Sequence, residues 1–278
     1  MLHWAYQCFN LTLMDVPFSR WHLAITERRS RRHFDLNRPI EPETLTALDT
    51  LCKQFRPFPH ARSRLVTESV KDVFKGIIGS YGKVKDAPAF IAFIGNMDSA
   101  SVQEEVGYTG EGIILEATAL GLNTCWVAGF FNPESVASLV EIKSNERVLA
   151  VTPVGYARRF ESLQEKLMTG FGRTHRRVPI SRLISNLTQD SLPEWVRASV
   201  QAARLAPSAV NRQPWGFDVG DDCITVYVRT GGPEFNVSKR LDCGIAMLHI
   251  EVAALNCGVR GDWQFLKAPQ VARFSALV

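Results

Sequence analysis

The feature that most restricts this chain is a repeat. Glu105-Val-Gly107, a helical stretch and Gly121-Leu-Asn-Thr-Cys-Trp126 return 137 positions later as Asp242-Cys-Gly244, a helical stretch and Gly258-Val-Arg-Gly-Asp-Trp263. Pro42-Glu43 ahead of one amphipathic run is echoed by Pro193-Glu194 ahead of another. A shared glycine and tryptophan at one offset point to a tandem duplication, whose units bury their apolar faces against each other. The expectation is an intramolecular pseudo-dimer forming one composite globule, with a first half over 14–165 and a second, shortened half over 166–278. Residues 1–13 read as a leader of unassigned role, with Met14 as an alternative start. The joint falls over Phe160 to Pro179, where charged residues, Gly170 and Gly172 break the apolar pattern.

Composition agrees with a folded core. The chain has 278 residues, 46% hydrophobic and 22% charged, which excludes the disordered, collagenous and coiled-coil classes. A net charge of +4 does not by itself imply a nucleic-acid or membrane partner. Six scattered cysteines without a Cys-x-x-Cys pair supply no metal or disulfide framework. No run reaches the roughly 18 apolar residues that span a bilayer, and the opening residues lack a secretory pattern, so a cytoplasmic location is expected.

Apolar spacing predicts helices around Trp21 to Ile25, over Glu41 to Phe55 with Leu45, Leu48 and Leu51 on one face, over Ser101 to Leu120, and over Trp195 to Leu205. Gly121 is expected to close the third in a left-handed conformation. Short apolar runs at Ala89–Ile94, Thr124–Val127, Val148–Val154 and Trp215–Val219 predict strands. Strands alternating with long helices give an α+β fold, a three-layer α/β/α sandwich.

Three patches carry chemistry. Glu27-Arg-Arg-Ser-Arg-Arg-His-Phe34 sets a hydroxyl among guanidiniums, which suits a phosphate and equally suits a solvated basic turn. Ala206-Pro-Ser-Ala-Val-Asn-Arg-Gln-Pro-Trp-Gly-Phe217 places Asn211, both donor and acceptor, in a proline-rich loop that could otherwise be only a rigid turn. Cys125-Trp-Val-Ala-Gly-Phe130 runs from a strand into a loop where Gly129 would let backbone approach a flat ligand. The remaining histidines, His249 among them, read as surface or packing residues.

Together these patches resemble the FMN-dependent nitroreductase family, in its tandem, pseudo-dimeric subgroup, over about Trp21 to Trp263. The loop matches the family's Pro-Ser-x-x-Asn-x-Gln-Pro-Trp signature and the arginine run its Arg-x-Ser-x-Arg/Lys opening. The resemblance implies a nitroreductase-like fold in which Arg28, Arg29, Ser30 and Arg32 bind the flavin's phosphate, ribityl chain and pyrimidine edge. It places Ala128 and Gly129 at the nitrogen that receives hydride, Arg177 at the phosphate, and Lys83, a looser match, at the ring. Pro207, Ser208, Ala209 and Asn211 supply the opposite wall.

The losses in the two halves are complementary. The first half has the arginine run but reads Phe55-Arg-Pro-Phe-Pro59 where the loop belongs, and the second has the loop but no arginine run. One FMN per chain is therefore expected between the halves, in a monomer, with Phe55 and Phe58 filling the vacated pocket. The implied activity is ping-pong hydride transfer from NADH or NADPH to a nitroaromatic or quinone-type small-molecule acceptor, without a side-chain nucleophile. A flavin-binding sensor without turnover is the alternative, and a nucleic-acid role for the arginine run a third.

Overall fold

Ala89–Asn96 is apolar at successive positions, a pattern that a strand satisfies only when both of its faces are covered. As strand β2 it sends Ile91 and Phe93 into one core and Phe90, Ala92 and Ile94 into a second on the opposite face. The computed structural model describes residues 17–74, 84–158, 176–185, 192–231 and 236–277. The leader, Lys83 and most of the expected joint lie outside the described residues.

β2 belongs to an antiparallel sheet with β1 (Ala61–Val66), β3 (Asn123–Thr124) and β4 (Glu146–Gly155), in the order β1-β2-β4-β3. A second antiparallel sheet contains β5 (Trp215–Val219), β6 (Cys223–Val228), β7 (Gly261–Phe265) and β8 (Gln270–Ala276), in the matching order β5-β6-β8-β7. The helices are α1 (Phe18–Glu27), α2 (Pro42–Gln54), α3 (Val70–Val73), α4 (Val102–Ala119), α5 (Pro133–Leu139), α6 (Glu194–Leu205) and α7 (Lys239–Asn256). The larger core joins α1, α4, α6 and α7 to residues of both sheets, among them Phe93, Phe217 and Phe274. α3 and α5 cover the outer face of the first sheet through Val70, Val73 and Val136.

α4 and α7 are each 18 residues long and buried along most of their length. Helices that are apolar nearly all round belong in an interior, and these two pack on each other. The approach is limited by backbone. A Cβ on Gly107 would stand 2.1 Å from the Leu241 carbonyl oxygen, and one on Gly244 would stand 2.2 Å from that of Glu104. Arg240 of α7 seals one end, its Nε donating to buried Glu104 Oε1 at 2.6 Å.

The expected helices are present, and Gly121 closes α4 at φ +78°. The strand expected over Thr124–Val127 is interrupted. Only Asn123 and Thr124 pair continuously with β4, because the Cys125 N–H donates to the Thr152 hydroxyl at 3.1 Å instead of to a backbone carbonyl. Val127 then rejoins Val151 through two backbone bonds. Phe55 packs beneath a helix. It is buried under α4, its ring edge-on to Trp21 at 5.2 Å and close enough that a Cβ on Gly112 would come 2.4 Å from it.

Gly107→Ala and Gly244→Ala are each expected to cost about 3 kcal/mol, because the atom met is backbone and cannot rotate aside. Phe55→Ala is expected to cost about 3–5 kcal/mol through the cavity it leaves. Urea unfolding of the three variants checks both, and an unfolding midpoint unchanged in either glycine variant would contradict the close approach.

Candidate functional site

The arginine run continues from α1 as extended chain beside β3. Ser30 pairs with Thr124 in parallel, Arg31 N–H donates to Thr124 O at 2.9 Å, and Arg32 O accepts from Lys85 N–H at 2.8 Å. Because side chains alternate along extended backbone, Arg28 turns inward and is 7% exposed while Arg29 stays in solvent. Arg28 Nη1 donates to Ser30 Oγ at 3.3 Å. Burial pulls the Arg28 guanidinium below its usual range, opposed chiefly by the nearby Glu111 carboxylate.

The proline-rich loop leaves α6 through buried Ala206 and Pro207 and makes one short turn over Ala209–Asn211. Its backbone is strained. Val210, Asn211 and Gln213 sit at φ +46°, +57° and +47°, a region that β-branched side chains rarely enter. Several bonds impose this shape. Asp242 Oδ1 accepts from Ala209 N–H at 3.1 Å and Oδ2 from Arg212 Nε at 2.6 Å, and Ser208 Oγ accepts from Gln213 N–H at 2.9 Å. Burial pushes the Asp242 carboxyl up to about 6 against the pull of Arg212.

The segment carrying Arg177 is stitched to this loop. Arg177 donates to Asn211 Oδ1 at 2.5 Å and to Leu205 O at 2.9 Å, and Val178 N–H donates to Gln213 Oε1 at 2.8 Å. Burial pulls Arg177 down to about 10, followed by repulsion from Arg28, Arg204 and Arg29. Arg28 and Arg29 of the run thus act on Arg177 beside the loop, with the Glu111 charge acting on both Arg28 and Arg177.

Ala128 and Gly129 follow Val127 and approach the segment before α7. A Cβ on Gly129 would stand 3.4 Å from Val237 Cγ2, an ordinary contact, so protein packing does not demand a glycine there. Trp126, two residues before Ala128, is fixed by its Nε1 donating to Glu111 Oε2 at 2.7 Å and by the Phe93 ring at 4.7 Å.

Two contributors were missed in the sequence. Glu111 and His249 are both fully buried, with His249 Nε2 2.9 Å from Glu111 Oε1 and Nδ1 2.9 Å from Ala202 O. The signal for Glu111 was a carboxylate between Gly110 and Gly112 on an apolar helix. His249 is a packing residue by burial, but its bonds are polar on both sides.

The corresponding place on the other side of α4 and α7 is differently filled. Trp263 Nε1 donates to Glu251 Oε2 at 2.7 Å, and Tyr108 OH donates to the same oxygen at 2.6 Å. Phe265, which stands 137 positions after Ala128, meets Phe58 at 5.2 Å, and Phe58 meets Tyr108 at 5.1 Å. Rings occupy this side where the first has alanine, a polar loop and arginines. Among the described residues no group of His, Cys, Asp and Glu could hold a metal ion, and no helix is long and apolar enough to cross a membrane.

Comparison with known proteins finds relatives of this fold. A Thermotoga maritima protein described as "a putative nitroreductase" matches with a TM-score of 0.64 and 21% identity, over 92% of this chain and 93% of that one. A nitroreductase family protein from Clostridium difficile 630 matches with a TM-score of 0.46 and 22% identity, over 60% of this chain and 98% of its own. An FMN-dependent nitroreductase from Clostridium difficile R20291 matches with a TM-score of 0.41 and 19% identity, over 50% and 88%. Among curated proteins none matches significantly. The family model described as "Putative TM nitroreductase" matches residues 22–254, and the chain belongs to that nitroreductase family.

Proposed function

We propose that the chain is a flavin-dependent oxidoreductase that binds one FMN between two duplicated halves, takes electrons from NADH or NADPH and passes them to a small nitroaromatic or quinone-type acceptor. The observation that carries this reading is the charge of the site. Arg28, Arg29, Arg177 and Arg204 act on one another around a single buried carboxylate, Glu111, leaving an excess of positive charge that a phosphate dianion offsets. Thr124 Oγ1 and Arg31 Nε are also buried without a partner in the described structure, beside the same run.

The residues therefore fit the cofactor. Arg28, Arg29, Ser30 and Arg177 would hold the phosphate, with Arg32 further along the same extended run. Pro207, Ser208, Ala209 and Asn211 would wall the opposite side, and Ala128 and Gly129 would offer backbone to the ring. When bound, FMN supplies two-electron redox chemistry. The protein's own share is to bind, orient and exclude water, with the loop held in shape by Asp242, Arg212 and Gln213.

The matching sheet orders and the reciprocal approach of Gly107 and Gly244 support the duplication and a monomer that is its own pseudo-dimer. The packing of Phe58, Phe265 and Tyr108 supports a single flavin per chain.

The purified chain is expected to take up one FMN, measured by titration and by counting the released chromophore. Two per chain would contradict the filled second side. Arg28→Ala and Arg177→Ala should each weaken FMN about 10- to 100-fold, the loss of one charge-assisted bond, while leaving riboflavin affinity unchanged. Anaerobic mixing with NADH and with NADPH should bleach the bound flavin with at least one of them. Absence of bleaching with both would remove the reductase activity and leave a binding protein.

A further inference from the structure

We infer that Glu111 is the positioning residue of the proposed flavin pocket, one carboxylate that ties the loop at Ala128 and Gly129 to the end of α6. This rests on the reading above. The first segment is the loop at Ala128 and Gly129. Trp126 Nε1 donates to Glu111 Oε2, and the indole lies so close over the helix that a Cβ on Gly110 would come 2.4 Å from it. The Trp126 ring is therefore held from α4 on two sides, two residues before the backbone that would face the ring of the cofactor.

The second segment is the end of α6, which leads into the strained loop. His249 Nδ1 points at Ala202 O, and a carbonyl only accepts, so that nitrogen carries a proton. Nε2 faces Glu111 Oε1 at 2.9 Å, so one further proton lies between ring and carboxylate. Glu111 thereby reaches through His249 to the last turns of α6, whose Leu205 carbonyl accepts from Arg177.

The other side of the molecule provides a control. Glu251 accepts from Trp263 and Tyr108 just as Glu111 accepts from Trp126, but Phe58 and Phe265 stand where a ligand would lie. A merely structural carboxylate would behave alike at both places.

The test compares Glu111→Ala, Glu111→Gln and Glu251→Ala in the full chain. The readouts are amide hydrogen exchange at Val127 to Gly129 without flavin, FMN affinity, and the visible spectrum of bound FMN. Glu111→Ala should speed that exchange and weaken FMN by about tenfold each, with a shifted flavin spectrum. Glu111→Gln can still accept from Trp126 and donate to His249 Nε2, so it should return exchange and affinity to within about threefold of the parent. Glu251→Ala should lower the unfolding midpoint while leaving all three readouts unchanged.

If Glu111→Ala does not fold, Trp126→Phe removes the same bond from its other end and should reproduce the faster exchange. Unchanged exchange in Glu111→Ala or Trp126→Phe, or equal effects of Glu111→Ala and Glu251→Ala, would overturn the assignment. A parent chain that takes up no FMN would overturn the functional reading instead, and the exchange result would still decide whether Glu111 holds the loop.

Discussion

The structure depends on how closely α4 and α7 approach. Gly107 meets the Leu241 carbonyl and Gly244 meets that of Glu104, so two helix backbones touch with no side chain between them. At that spacing interior packing tolerates almost no added volume. One turn along α4 stands Glu111, and one turn along α7 stands His249, and the same approach brings them together out of reach of water. A buried carboxylate is costly unless its acceptor sites are met, and here an imidazole and an indole meet them.

The two sides of this helix pair show how one scaffold supports different sites. Sheet order and the tryptophan-to-carboxylate bond recur, yet the carboxylate on one side acts on buried Arg28 while the other, among the described residues, accepts from the neutral donors Tyr108 and Trp263. At corresponding positions in the strands and the loops after them, alanine stands on one side and Phe265 on the other. Charged side chains thus stand on one side, and aromatic rings on the other. The asymmetry lies in a few side chains and leaves the backbone plan unchanged.

What the sequence revealed follows from range. α4 was legible because its apolar residues are periodic and Gly121 ends it, both local properties. β5 was legible from its short apolar run after a proline. The break in β3 was not, since it needs the Thr152 hydroxyl from a strand 27 residues away to take a backbone bond. In the candidate site, Arg28, Ser30, Ser208 and Asn211 could be named from motifs. That Arg177 binds Asn211 directly could not, because the contact arises only when 176–178 folds along the loop. Glu111 and His249 escaped for the same reason, as each is one polar residue among several in its helix until the other is placed beside it.

The loop's strain also bears on how such a site binds. Residues such as Val210 in the left-handed region cost about 1–3 kcal/mol each, and the conformation persists only where surrounding bonds over-determine it. Asp242, Arg212 and Gln213 provide much of that bonding from behind the loop, so its shape is held through contacts that a ligand need not make. Arg177 and Asn211 are likewise restrained through Leu205 and Arg176. Ordering is therefore completed when the chain folds, and a ligand's charge and surface can act on affinity instead of on rearranging the loop. The carboxylates divide this work, with Asp242 shaping the loop from behind and Glu111 tying Trp126 to His249 across the helix pair.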